Sequence, residues 1–586
     1  MMASSTYDYI IVGGGLSGCV LASRLRQYKS GSKILLIEAG QDTRSRTDIL
    51  QPDILNLGGE LDWTYPTEPQ ASLGGRSIVY NAGKGLGGGT LINSGGWTRG
   101  SSADYDEWAE VVGDARWSYT GQLPYIKKTE EWFDDSNPEQ HGKDGPIAIA
   151  SAVSTNRKFP LTEPIAAAWD ELGVPALPKF DQNTGDNLGR AYICEARREG
   201  KRQYSARNYP LDGVQVLADT LVKKVVVERA GAPRATGVEL ADGKVISGAE
   251  VIVCGGAFRS PQLLLLSGIG DAAHLKEHRI ETLVDLPEVG RGLHDHMSFY
   301  QFWKLKNPER GYTLGSANPL FQQPEFAMGI PLDWIVSTDV PHDQVAKAIE
   351  RDDGKVPDAT THRLLREPRT HIETVVLYFK LPIPGVEPDA EHLTTLTIPF
   401  LPTSRGSVTL KSADPQASPK IDLNFLATET DRCVYREGLR TLTRLMLQTK
   451  FGKEYIAGES VPPVPGMEAV SLDDSDEKLD RRVALTGVTT WHSGGTCAMG
   501  KVVDAEFRVK GVKGLRVVDA SVIPVIPYSF IAEEVIPQEA IPQEVIPQEV
   551  IPTEVIPKEV VPQEVVPTLV IPQEVNPQKA IPQVTL

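Results

Sequence analysis

An α/β fold is what this sequence predicts, and three stretches carry the prediction. Asp8-Tyr-Ile-Ile-Val12 runs straight into Gly13-Gly-Gly15-Leu-Ser-Gly18 and, one helix later, into Lys33-Ile-Leu-Leu-Ile-Glu38, the order strand, glycine turn, helix, strand of a Rossmann-like unit. Glu391 to Phe400 and Gly406 to Leu410 alternate like strands, and Asp431 to Gln448 has a helical apolar period at Val434, Leu439, Leu442, Leu445 and Met446. A second region of sheet and helix is therefore expected. Residues 532–586 repeat Val-Ile/Val-Pro-Gln-Glu, with ten prolines spaced five residues apart from 537 to 582. Each proline removes a helical hydrogen bond, so this tail is predicted to be extended or disordered.

In the opening unit each glycine has a separate task. Gly13 allows the tight turn, Gly15 lets the backbone approach a pyrophosphate, and Gly18 lets the helix pack closely on the sheet. The unpaired N–H groups of the helix N-terminus face the phosphates. Glu38 follows Gly18 by twenty residues, at the end of the second strand, where a carboxylate accepts hydrogen bonds from a ribose diol. A bare Gly-x-Gly-x-x-Gly is weak evidence in a chain with 53 glycines. The apolar run before it, the helical pattern after it and the spaced acid make it a dinucleotide site, without choosing NAD or FAD.

Length and composition bound the rest. At 586 residues the chain exceeds one compact core, so at least two domains are expected. With 40% hydrophobic and 23% charged residues it has the composition of a soluble globular protein. The net charge of −17 argues against a nucleic-acid partner, which is bound by surplus Lys and Arg. Cys19, Cys194, Cys254, Cys433 and Cys497 are odd in number and widely spaced, the pattern of reduced, buried thiols rather than of disulfides or a cysteine zinc site. No apolar run approaches a membrane span, and the first apolar run is the first strand itself, so a cytoplasmic location is expected.

Asn81 to Gly100 holds eight glycines in twenty residues, interspersed with Lys84, Asn93, Trp97 and Arg99. A loop with so little bulk lies against a flat ring or a diphosphate and offers it backbone N–H groups. Gly83-Lys-Gly-Leu-Gly-Gly-Gly-Thr-Leu-Ile-Asn93, followed by Trp97, Gly100 and Asp106, resembles the first signature of the glucose-methanol-choline (GMC) oxidoreductases. Gly256-Ala-Phe-Arg-Ser-Pro-Gln-Leu-Leu-Leu-Leu-Ser-Gly-Ile-Gly270 resembles the second. Val289-Gly-Arg-Gly-Leu-His-Asp-His296, Ser404 to Leu410 with Asp414-Pro415, and Trp491 to Gly500 leading to Leu515–Ser521 look like further pieces of the same family.

The resemblance implies a Rossmann-like FAD domain interleaved with an α+β substrate domain, an antiparallel sheet with helices on one face. The FAD domain would take residues 7–300, with some substrate-domain insertions, and 460–531; the substrate domain would take 301–459, and the repeat tail 532–586. It implies FAD contacts at Gly13, Gly15, Leu16, Ser17, Gly18, Glu38, Ala39, Thr90, Asn93, Ser94, Gly95, Gly96, Val222, Asp519 and Ala520. Members with covalent FAD carry a histidine at the place of Ile92, which has no nucleophilic atom, so the FAD is expected to be non-covalent. The expected partners are a small-molecule alcohol and O2 or another electron acceptor.

Oxidising an alcohol requires a base for the hydroxyl proton as the hydride leaves carbon. A histidine suits this because its unperturbed pKa is about 6.5, and His492 stands where the family carries its catalytic histidine. The plainer alternative is a buried histidine satisfied by backbone. His294 and His296 flank Asp295 and, in an extended segment, would place both rings on one side as metal ligands. No third or fourth ligand is evident, so no metal is expected. One departure from the family stands out: spacing puts Phe530 where members carry a second His or Asn. The functional reading is an FAD-dependent alcohol oxidoreductase, such as a tailoring enzyme of secondary metabolism. The alternative is an FAD-binding member without redox turnover, lyase-like or impaired by Phe530. The tail, with nine Glu against two Lys for a charge of −7, reads as a spacer or as a strip for an unknown partner.

Overall fold

The computed structural model describes residues 6–50, 57–229, 231–382 and 386–527. Phe530 and the repeat tail 532–586 lie outside the described residues. The architecture is mixed α/β and is built on two seven-stranded sheets.

In the first sheet, Tyr7–Val12 lies between Ile34–Ile37 and Val245–Val253 and runs parallel to both. Gln215–Leu217 extends it beyond Ile34–Ile37. Val245–Val253 is shared: its first half pairs antiparallel with Arg234–Leu240, and its second half runs parallel to Leu515–Val517. Tyr9 to Val12 are all buried, as expected for a central parallel strand covered on both faces, and so they read as one unbroken apolar run.

The helix Leu16–Tyr28 starts straight after the glycine turn. Gly13 has φ +105°, and a Cβ there would fall 2.3 Å from the Cys254 carbonyl oxygen. A Cβ on Gly18 would fall 1.9 Å from the Gly13 oxygen. These two glycines let the turn sit on the end of Val245–Val253, a closeness that any side chain would prevent.

The second sheet is antiparallel, in the order Ile456–Ser460, Met297–Leu305, His392–Pro399, Ile372–Leu377, Trp334–Thr338 and Gly189–Tyr192. Val488–Thr489 pairs with the start of Met297–Leu305. The sheet thus draws strands from outside residues 301–459. Its register sets Tyr300, Leu396, Val375, Ile335 and Ala191 side by side on one face.

The helix Glu429–Leu447 packs on the opposite face. Its five predicted apolar positions are buried, and a Cβ on Gly438 would lie 3.2 Å from the Thr397 methyl. The Thr428 hydroxyl accepts from the Asp431 N–H and caps its start. His392–Pro399 therefore differs from a strand with one wet face: with the helix behind it and a cavity in front, even Thr394, Thr395 and Thr397 are buried. All five cysteines are free and buried. No helix among the described residues is long and apolar enough to cross a membrane.

Candidate active site

A cavity of about 920 Å³ opens between the two sheets. Its wall holds Gly13, Gly15, Leu16, Ser17, Glu38, Ala39, Thr90, Asn93, Ser94, Gly95, Gly96, Val222, Asp519, Ala520 and His492. Gly18 is the one predicted contact outside that wall. It touches the turn instead, for the packing reason given above.

The glycine-rich end of the cavity is a cradle. A Cβ on Gly89 or Gly256 would meet no atom within 4 Å, and one on Gly15 would meet only the Gly88 Cα, at 3.8 Å. Glu38 accepts backbone N–H groups from Gly14 and Gly40, each at 2.7 Å, and burial pushes its carboxyl up. A carboxylate has about four lone-pair positions, so these bonds leave room for a diol. Asp519 accepts from Gly256 N–H at 2.9 Å, Ser260 Oγ at 2.5 Å and Ser521 N–H at 2.8 Å. It thereby ties the C-terminal segment to the start of the helix Gly256–Leu266, where a negative charge is favourable. The Thr90 hydroxyl donates to the Gly87 oxygen and accepts from Ser205 N–H, and Asn93 Oδ1 accepts from Arg202. Those groups serve the loop itself and leave its backbone to face a ligand.

At the other end, His492 is held from three sides. Asp295 accepts the His492 N–H at 2.8 Å and the Thr489 hydroxyl at 2.6 Å, and Tyr80 Oη accepts the Ser493 N–H at 3.0 Å. Trp491 has φ +64°, a strained value for a bulky side chain, and its indole donates to Asn81 Oδ1 at 3.3 Å. His296 Nδ1 lies 3.0 Å from His492 Nδ1, and Thr490 Oγ1 lies 3.2 Å from the same atom.

Burial pulls His492 down to about 4 and, with the neighbouring His492 and His294, holds His296 well below the usual histidine value. Both rings are therefore neutral at neutral pH, so one Nδ1 must donate and the other accept. Thr490 uses its own proton to donate to the His296 carbonyl oxygen at 2.7 Å, so toward His492 its oxygen is an acceptor. Assigned with the His492 proton on Nδ1, the network leaves Nε2 as a proton acceptor. Burial pushes the Asp295 carboxyl up to about 7, against the hydrogen bonds from Thr489 and the His492 N–H.

Residues 7–298 and 402–532 match the GMC oxidoreductase family. The chain belongs to it. Relatives of this GMC oxidoreductase include GMC-type oxidoreductase acuG of Aspergillus aculeatus, 41% identical over 89% of this chain and 95% of the relative. An oxygen-dependent choline dehydrogenase of Chromohalobacter salexigens is 31% identical over 90% of this chain and 92% of the relative. Among solved structures, an Aspergillus oryzae formate oxidase with a mutation affecting FAD modification superposes with TM-score 0.78 and 28% identity, over 91% of this chain and 97% of the other. As a GMC oxidoreductase the protein is an FAD-dependent enzyme acting on alcohol groups, with a small-molecule substrate and an electron acceptor. The cradle of side-chain-free backbone fits that cofactor.

Sequence reasoning placed Asp295 and His296 only within a stretch resembling the family and set a His294–His296 metal pair aside; it gave neither residue, nor Thr490, a role beside His492. The signal was present as two histidines with no further ligands, yet nothing local tells which residue they meet. The His294 ring instead packs over Gly494 and Gly495. Ligand spacing among the described residues occurs at His274, Glu277 and His278. There Leu410 N–H donates to His274 Nε2 at 3.1 Å, which puts the ring proton on Nδ1 and removes that atom as a ligand.

Proposed function

We propose that this enzyme oxidises the CH–OH group of a small organic molecule, with His492 as the base that takes the hydroxyl proton. The observation that carries this is that His492 lines the cavity wall with its Nδ1 side held by His296 and Thr490, an arrangement compatible with an Nε2 that accepts a proton. Bound FAD supplies the hydride acceptor. Asp295 and Tyr80 hold the segment that carries His492, while Thr490 and His296 hold its ring. A base fixed in both position and tautomer loses little orientation freedom on the way to the transition state.

FAD would be held non-covalently by the Gly13–Ser17 turn, Glu38, Ala39, Thr90, Asn93 to Gly96, Val222, Asp519 and Ala520, supported by an apolar Ile92 in the same wall. The interleaved division is part of this reading: residues 7–300 and 460–531 for the cofactor, 301–459 for the substrate, with the second sheet's outlying strands as the crossovers between them. O2 or another acceptor then reoxidises the enzyme. A tailoring step in secondary metabolism is the setting we propose, and comparing metabolites with and without the gene tests it.

The chemical reading is tested by anaerobic bleaching of the flavin in the purified holoprotein with a panel of alcohols. Bleaching that disappears in His492→Ala supports it. Correctly bound FAD that no alcohol reduces would favour the reading without turnover.

A further inference from the structure

The chemistry of the cavity floor narrows the substrate. We propose that the alcohol taken by this site is uncharged and carries an extended apolar body, which lies on the second sheet with its hydroxyl toward His492. This rests on the functional reading above. Sugars and quaternary ammonium alcohols are the classes it rejects.

The floor is the sheet face whose register aligns Tyr300, Leu396 and Val375. One step further along the strands, Leu377 and Ile398 share that face, and all five residues line the cavity. Ile193, Ile330 and Leu332 continue the apolar surface from the flanking segments. Polarity on this floor is confined to one strand, in the hydroxyls of Ser298 and Tyr300. Ser298 pairs with Val488 beside the His492 segment, so the polar groups sit at the end where the reacting hydroxyl must be. Neither hydroxyl has a hydrogen-bond partner among the described residues.

The charges in the same wall are already committed. Glu38 and Asp519 lie on the first-sheet side and accept backbone N–H groups. Arg76 donates to the carbonyl oxygens of Ala484 and Gly487, and Arg259 to Tyr65 Oη and the Pro415 oxygen. Among the described lining residues no carboxylate faces the floor to balance a buried ammonium. No amide or carboxylate side chain on the floor is placed to meet the several hydroxyls of a sugar. Buried charges and unpaired hydroxyls are penalised in such a site, whereas an apolar body gains from every contact with it.

The test is equilibrium binding to the full-length, FAD-loaded protein, its flavin reduced beforehand and kept anaerobic so that no alcohol turns over, by isothermal titration with cinnamyl alcohol and geraniol against choline and D-glucose. At least one apolar alcohol is expected to bind at least tenfold more tightly than either polar one. Val375→Asn should weaken that binding at least fivefold, and Val375→Thr, which keeps the shape, should weaken it in the same direction should the Asn variant fail to fold. Choline or glucose binding as tightly as the apolar alcohols overturns the proposal, as does binding that neither Val375 variant changes. Flavin bleaching is measured separately. Tight binding of an apolar alcohol without bleaching would sink the oxidation reading and leave the substrate class standing.

Discussion

The Nδ1 atoms of His296 and His492 lie 3.0 Å apart, although the two residues are 196 positions apart in the chain. Two neutral imidazoles at that distance share one proton, and Thr490, whose own proton goes to the His296 carbonyl oxygen, offers an acceptor to a proton on His492 Nδ1. On the proposed reading His296 is a positioning residue for His492. His492→Ala should slow alcohol-driven flavin reduction by ~10²–10⁴-fold. His296→Ala removes about one hydrogen bond's worth of orientation, roughly tenfold in rate. His296→Asn, which keeps an acceptor, should recover part of that. Stopped-flow reduction with FAD content checked by absorbance decides it, and a His296→Ala enzyme at full rate would remove the role.

The pH dependence follows from the burial of His492. Its pKa of about 4 lies below the ordinary 6.5, so the proton-accepting form persists far into acid. The rate of flavin reduction should stay level from pH 8 to about pH 5 and fall only as pH approaches 4. A limb near 6.5 that persists in Asp295→Asn, whose side chain cannot titrate, would show that His492 is not buried as described, or is not the base.

Asp295 predicts a stability effect with a definite sign. Its folded value of about 7 lies above the unfolded 3.8, so the native state binds the proton more readily. Its contribution is fully present below pH 3.8 and is lost as pH rises through 7. At about 1.4 kcal/mol for each pKa unit, the loss is on the order of 4 kcal/mol. Asp295→Asn cannot titrate, so between pH 5 and 8 its Tm should fall less than that of the parent. Parallel melting curves across that range would contradict this.

Two glycine substitutions should separate folding from cofactor binding. Gly18→Ala puts a methyl group 1.9 Å from the Gly13 oxygen, an overpacking that costs about 1–3 kcal/mol or more, and should lower Tm. Gly15 has extended backbone and room for a Cβ, 3.8 Å from the Gly88 Cα. Gly15→Ala should therefore fold normally while its methyl group occupies cradle space, weakening FAD binding by roughly tenfold, about 1.4 kcal/mol. Melting curves and FAD titration of each apoprotein distinguish the two effects.

Much of the cofactor end was legible in advance because its requirements are local. A turn at φ +105°, a helix start and a strand-end acid each leave a mark within a few residues. The helix Glu429–Leu447 was legible for the same reason, from its apolar period. The substrate end was not. Nothing near Asp295 and His296 names His492 as their neighbour, and the alternation of Glu391–Phe400 marks a strand without telling that both its faces are covered. What covers a strand lies elsewhere in the sequence and leaves no periodic trace in it.

The sequence by itself determined the βαβ unit, its glycine turn and the family signatures, because a missing Cβ and a 3.6-residue period are properties of short segments. Only the tertiary structure decided that His296 meets His492, that Asp295 holds the segment carrying His492, and that the cavity floor is apolar. Those facts depend on the register of Met297–Leu305 against Val488–Thr489 on one side and His392–Pro399 on the other. Cross-strand register is set by the packing of segments far apart in the chain, and burial, which shifts the pKa values of the site, exists only once those segments have met.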